Sequence, residues 1–205
     1  MNSSEGFILT GGQSRRMGTD KSQLLLDGES FVERIAAQLV ATTISVRIVG
    51  NNTASRSGIN LSVVPDVYPE WGALGGVHAA LSACSAVWAL IVACDFPFVT
   101  SEFFTRLASL AADFEAVAPI QNDGIPQPLC ALYRVDPCLA RAEQLIKSGE
   151  RKPVALLQSV HTRWVSFDEL RDLAGADRFF DNINTPADYA RVSEKGIGTD
   201  DVAKS

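Results

Sequence analysis

The sequence predicts an α/β fold with a mostly parallel sheet, on two observations. Short apolar or β-branched runs alternate with longer segments of helical period, the pattern of strand–helix–strand units. Such units join parallel strands through right-handed crossovers. One run, Val87 to Ala93, is almost wholly apolar, as a central strand buried on both faces must be.

Gly6 to Leu9 is the first predicted strand. It ends at Gly11-Gly12, and a polar, doubly basic loop leads to Lys21 and then Leu24-Leu25-Leu26. Phe31, Ile35 and Leu39 share one helical face, with Glu33, Arg34 and Gln38 for the other. Ile44 to Val49 and Leu61 to Val64 are the next strands, closed by Gly50-Asn51-Asn52 and by Pro65-Asp66. Tyr68 to Gly76 reads as a glycine-rich loop, and Val77 to Cys84 as a helix of small and apolar residues. After Val87 to Ala93 come a helix at Phe103 to Ala112, a strand at Glu115 to Pro119, a turn at Asp123-Gly124 and a strand at Leu129 to Tyr133. A helix over Asp136 to Ser148 is stopped by Gly149, and Pro153 opens the next, Lys152 to Val160. Arg163 to Phe167 is the last strand. Thr185 suits the N-cap of a helix starting at Pro186. Residues 1–193 are expected to form a single domain and 194–205, rich in Gly, Asp, Lys and Ser, a frayed tail.

A chain of 205 residues with 46% hydrophobic residues can bury one sizeable core, so disorder is excluded. Its formal charge of −6 argues against nucleic acid or an anionic membrane as a partner. No apolar run reaches membrane-spanning length, and Met1 to Glu5 lacks the basic start of a signal peptide. Cys84, Cys94, Cys130 and Cys138 show no metal-ligand spacing and read as buried free thiols in a reducing cytoplasm. With only His78 and His161, neither a zinc site nor covalent catalysis through histidine has support.

The stretch richest in chemistry is Leu9-Thr10-Gly11-Gly12-Gln13-Ser14-Arg15-Arg16-Met17-Gly18-Thr19-Asp20-Lys21. Glycines after a strand let backbone N–H groups approach phosphate oxygens, and Arg15, Arg16 and Lys21 add fixed charge in an otherwise acidic chain. Neither Gly-x-x-x-x-Gly-Lys-Ser/Thr nor Gly-x-Gly-x-x-Gly is present, so this is neither a P-loop nor a dinucleotide fingerprint. Asp95 closes the most apolar strand, where ligands of open α/β sheets bind. Its carboxylate suits Mg²⁺ held against phosphates, although an Asp there also suits an Asx turn ahead of Pro97. Asp66 follows a strand in the same way and by itself is more often a turn residue. Asn182 and Asn184, one residue apart, would present both amides on one face of an extended segment. Amides match the mixed donor and acceptor edge of a pterin, and equally serve loop and cap chemistry.

Taken together these segments resemble the molybdenum cofactor guanylyltransferases, the MobA-like nucleotidyltransferases. The first loop fills every fixed position of that family's signature, and the resemblance extends from Gly6 to about Val192. Cys94-Asp95-Phe96-Pro97 resembles the metal-binding segment, and Asn182-Ile183-Asn184-Thr185-Pro186 matches the N-x-N-T-P segment. Gly72-Ala73-Leu74-Gly75-Gly76 is similar to G-P-L-A/G-G, with Ala73 in place of the usual Pro. Gln127-Pro128-Leu129 resembles a substrate-side strand, and Arg151-Lys152 a basic segment near the second substrate. The resemblance implies a Rossmann-like three-layer α/β/α nucleotidyltransferase fold that moves GMP from Mg-GTP to the molybdopterin cofactor. It implies nucleotide contacts at Leu9, Thr10, Gly11, Gly12, Lys21, Asp66 and Asp95, and catalytic roles for Arg16, Lys21 and Asp95. It also implies Mg²⁺ on Asp95 and acceptor contacts at Asn182 and Asn184. Transient contact with cofactor-insertion or acceptor enzymes is expected on the same ground. Related cytidylyltransferases tend to carry Ala-Ala-Gly where guanylyltransferases carry Ala-Gly-Gly, and Thr10-Gly11-Gly12 points to GTP. A cytidylyltransferase, a transferase using another phosphorylated acceptor, and a nucleotide-binding module without turnover are the alternatives.

Overall fold

The computed structural model describes residues 4–10, 25–26, 28–50, 61–181 and 183. Among them, β1 (Ser4–Leu9), β4 (Val46–Val49), β5 (Ser62–Val64), β6 (Trp88–Ala93), β7 (Ala116–Pro119), β8 (Cys130–Arg134) and β9 (Thr162–Val165) form one seven-stranded sheet in the order β5-β4-β1-β6-β8-β7-β9. β2 (Leu25–Leu26) and β3 (Glu29–Ser30) form a small antiparallel pair outside it. β6 occupies the middle of the sheet with all six residues buried, as its apolar sequence requires.

Within the seven-stranded sheet all ladders are parallel except those of β8, which runs antiparallel to both β6 and β7. The chain passes from β7 to β8 without a crossover helix, so it can only return antiparallel. Period-two alternation divides the core. Ile8, Ile48, Leu90 and Val92 face one side, while Phe7, Leu9, Val49, Ala89 and Ile91 face the other. The first side is covered by α1 (Phe31–Val40) and α3 (Ser101–Ser109), the second by α2 (Gly72–Ala83), α4 (Val135–Lys147) and α5 (Pro153–Ser159). The result is the expected three-layer α/β/α architecture.

α1 starts where Ser30 and Glu33 close a capping box. The Ser30 N–H donates to Glu33 Oε2 at 2.8 Å, and the Glu33 N–H donates to Ser30 Oγ at 3.2 Å. Thr100 caps α3 by accepting from the Phe103 N–H at 3.3 Å. Gly149, at φ +88°, ends the turn after α4 in the left-handed region that favours glycine.

Three expectations need correction. The segment Gly72 to Gly76 is the first part of α2 rather than a loop, and only Pro69–Trp71 before it forms a 3₁₀ turn. A Cβ at Gly75 would sit 2.3 Å from the Tyr68 carbonyl oxygen, so glycine here serves close packing of a helix on a turn. The strand expected from Ile44 begins at Val46 instead, and Ile44 is 67% exposed. The last strand stops at Val165, because Ser166 and Glu169 cap a 3₁₀ turn over Phe167–Glu169.

Candidate active site

The carboxyl ends of β1, β4, β5 and β6 point to one edge of the sheet, since all four are parallel. From β1 the chain goes to β4 and β5 on one side and later to β6 on the other. The crevice between β1 and β6 is therefore a topological switch point, the place where open α/β sheets bind ligands. Leu9 pairs with Ala93 at the last register position. One residue further, the Cys94 N–H donates to the Leu9 carbonyl at 3.0 Å. Thr10 and Asp95 thus stand side by side where the two strands end at the crevice.

Thr10 is held on its other side by β4, where both its N–H, at 3.0 Å, and its hydroxyl, at 3.2 Å, donate to the Val49 carbonyl. Asp95 is half-buried in a turn in which the Phe96 N–H donates to the Ala93 carbonyl at 3.2 Å. Its Oδ1 receives the Cys94 thiol at 3.8 Å. The Leu129 carbonyl accepts the Ala93 N–H at 2.8 Å, which brings the Gln127-Pro128-Leu129 segment to the same strand end.

Asp66, also half-buried, follows β5. Its Oδ1 accepts the Tyr68 N–H at 2.9 Å, so it makes the Asx turn its position allows. Burial pushes its carboxyl above the usual range, against the pull of the Tyr68 N–H and of His78. The turn rests on α2, where a Cβ at Gly75 would also meet Asp66 Oδ1 at 3.2 Å.

Behind it lies a residue without a sequence signal. His78 is 6% exposed, its ring edge-on to Tyr68 at 4.9 Å between centroids. Its Nδ1 lies 3.5 Å from Ser82 Oγ and its Nε2 3.9 Å from Glu143 Oε1. Burial lowers its pKa, while Glu143 and Asp66 act to raise it. Arg151 is likewise drawn to this end, donating to the Glu70 carbonyl at 2.9 Å with its guanidinium 5.0 Å over the Trp71 ring.

Leu9, Thr10, Asp66 and Asp95 are thus gathered at one sheet edge. Gly11, Gly12, Arg15, Arg16, Lys21, Asn182 and Asn184 lie outside the described residues. Ile183, between the two asparagines, is described, and its N–H donates to the Asp95 carbonyl at 3.4 Å.

The cysteines are free, and Cys84 is half-buried rather than buried. Burial pushes the Cys84 thiol to about 11 and Cys138 to about 12, so neither supplies a thiolate at neutral pH. Among the described residues no cluster of three His, Cys, Asp or Glu could enclose a metal, and no helix is long and apolar enough to cross a membrane. The Asp95 carboxylate at the end of β6 fits a hard divalent ion that takes its remaining ligands from substrate phosphates and water.

Residues 6–164 match the model of the MobA-like NTP transferase domain. The chain belongs to the MobA-like NTP transferase family. It is 33% identical over 187 residues to a probable molybdenum cofactor guanylyltransferase of Pelotomaculum thermopropionicum, covering 91% of this chain and 90% of that protein. It is 31% identical to the molybdenum cofactor guanylyltransferase of Vibrio cholerae, covering 90% and 88% of the two chains. Among solved structures it resembles molybdopterin-guanine dinucleotide biosynthesis protein A from Archaeoglobus fulgidus. The TM-score is 0.79 at 26% identity, over 94% of this chain and 98% of that one. As a MobA-like protein, the chain is an enzyme, a nucleotidyltransferase, and the crevice between β1 and β6 is its candidate active site.

Proposed function

We propose that this MobA-like enzyme transfers GMP from GTP to the terminal phosphate of the molybdenum-molybdopterin cofactor. A phosphate oxygen of the acceptor bonds to the α-phosphorus, the bond from that phosphorus to the bridging oxygen breaks, and pyrophosphate leaves. The observation that carries the reading is Asp95, placed beside Thr10 at the switch point of the sheet.

The acceptor phosphate is already anionic, so the reaction does not demand a strong general base. Alignment and charge neutralisation supply most of the acceleration. Gly11 and Gly12 offer backbone N–H groups to the triphosphate, and Arg16 and Lys21 neutralise the charge that builds on the leaving pyrophosphate. Asp66 serves the nucleoside side, beyond β5. Asp95 is the residue to hold Mg²⁺, which when bound draws charge from the phosphate oxygens and fixes their orientation. Asn182 and Asn184 receive the acceptor. The relatives named as molybdenum cofactor guanylyltransferases support this choice of substrates.

Thermal-shift measurements with GTP, CTP, ATP and UTP, each with Mg²⁺, test the nucleotide. A ligand present at about a hundred times its Kd stabilises by about 2.7 kcal/mol, so GTP should give the largest shift. A larger shift with another nucleotide would refute the guanylyl assignment.

A further inference from the structure

Ile183 is 1% exposed, although it sits between two polar residues near the end of the described chain. Its side chain packs with Leu26 and Phe31, and Phe98 closes over them, in a small core separate from the two that sandwich the sheet. Each partner belongs to a different part of the active-site end. Leu26 lies in β2, just after the basic first loop, and Phe31 opens α1. Phe98 is three residues beyond Asp95.

The main chain adds a second tie, the hydrogen bond from the Ile183 N–H to the carbonyl oxygen of Asp95 itself. The preceding segment is fastened to the same loop and to α3. Arg178 lies 3.8 Å over the Phe98 ring, Phe180 meets Phe96 edge-on at 6.4 Å, and Phe179 meets Phe103 at 5.0 Å. One isoleucine therefore joins the chain leaving the first loop, the Asp95 turn and the segment that carries Asn182 and Asn184.

We propose that Ile183 is a positioning residue for the transfer: its side chain locks the Asp95–Phe98 loop against β2 and α1, and its N–H fixes the Asp95 peptide. The Asp95 carboxylate is then held in the direction that a divalent ion on the nucleotide requires. Ile183 touches no reacting atom and acts through Asp95. The inference rests on the reading of Asp95 as the metal carboxylate. Groups that orient a metal ligand typically govern metal affinity or activity by about 10–100-fold, and an apolar peg that sets a ligand's backbone belongs with them.

The test is the affinity for GTP measured with Mg²⁺ and with EDTA in the wild type, Ile183→Ala and Ile183→Val, with thermal melts as a folding control. The wild type should bind GTP more tightly with Mg²⁺. Ile183→Ala should lose on the order of tenfold of that tightening, with its EDTA affinity unchanged, and Ile183→Val should restore most of it. The Mg²⁺ response of pyrophosphate release should move in parallel. If Ile183→Ala does not fold, Phe98→Leu perturbs the same pocket from a partly exposed residue and should reproduce the loss. A folded variant that melts lower but keeps the full Mg²⁺ tightening would overturn the proposal, because the peg would then serve stability alone. A wild type with no Mg²⁺ tightening would instead remove the metal reading of Asp95, and the proposal with it.

Discussion

The Cys94 N–H donates to the Leu9 carbonyl at 3.0 Å, so β1 and β6 stay joined one residue past their last register pair. Thr10 and the Asp95 turn therefore leave the sheet side by side. Sequence alone places each at a strand end; the ladder makes them neighbours.

Replacing Asp95 by Asn removes a charge while keeping the shape of a half-buried side chain. The melting temperature should stay near that of the wild type. The rate of Mg²⁺-dependent pyrophosphate release should fall on the order of a hundredfold or more. Near-normal turnover in the folded variant would end the metal assignment.

If Lys21 contacts phosphate as proposed, Lys21→Ala should delete a charge-assisted hydrogen bond worth about 1.5–3 kcal/mol. GTP should bind at least about tenfold more weakly, with little change in stability. An unchanged dissociation constant would mean that Lys21 is surface charge only.

Much of the fold was legible because it is written in local patterns. β6 announces itself as central through an unbroken apolar run, and Asp66 and Asp95 could be placed at the carboxyl end of the sheet because each follows a strand. Gly72 to Gly76 misled because glycine disfavours helices in isolation, whereas the approach of Gly75 to the Tyr68 carbonyl needs it there. Arg151 over Trp71, His78 against Tyr68 and Ile183 on Asp95 join residues from separate elements, and such contacts leave no periodic trace.

His78 should give the stability a distinct pH dependence. Burial holds its folded-state pKa below the ordinary 6.5, with Glu143 and Asp66 opposing. As pH falls through 6.5 the unfolded chain takes up a proton that the folded chain still refuses. The stability is therefore full above 6.5 and declines as pH falls towards the lowered folded value. His78→Gln should flatten that decline relative to the wild type in melts between pH 7.5 and pH 5, values that are about one unit above and 1.5 below the reference pKa. Parallel curves would show that His78 does not titrate in this way.

Asn182→Ala and Asn184→Ala separate donor from acceptor. Each removes a hydrogen-bonding amide worth about 0.5–1.5 kcal/mol, so the KM for molybdopterin should rise several-fold while GTP affinity holds. If both variants instead lose GTP affinity with normal acceptor dependence, the segment serves the nucleotide or its metal.

The most direct test of guanylyl transfer is kcat/KM for molybdopterin-dependent pyrophosphate release with GTP and with CTP, with the product identified by mass. In the proposed reading Gly11 would spare a methyl group beside the base, a difference worth about 1–3 kcal/mol. GTP should be preferred roughly tenfold or more, with one GMP added per acceptor and one pyrophosphate released. Equal efficiency with the two nucleotides would contradict the guanylyl assignment, and pyrophosphate release that ignores the acceptor would contradict the transfer itself.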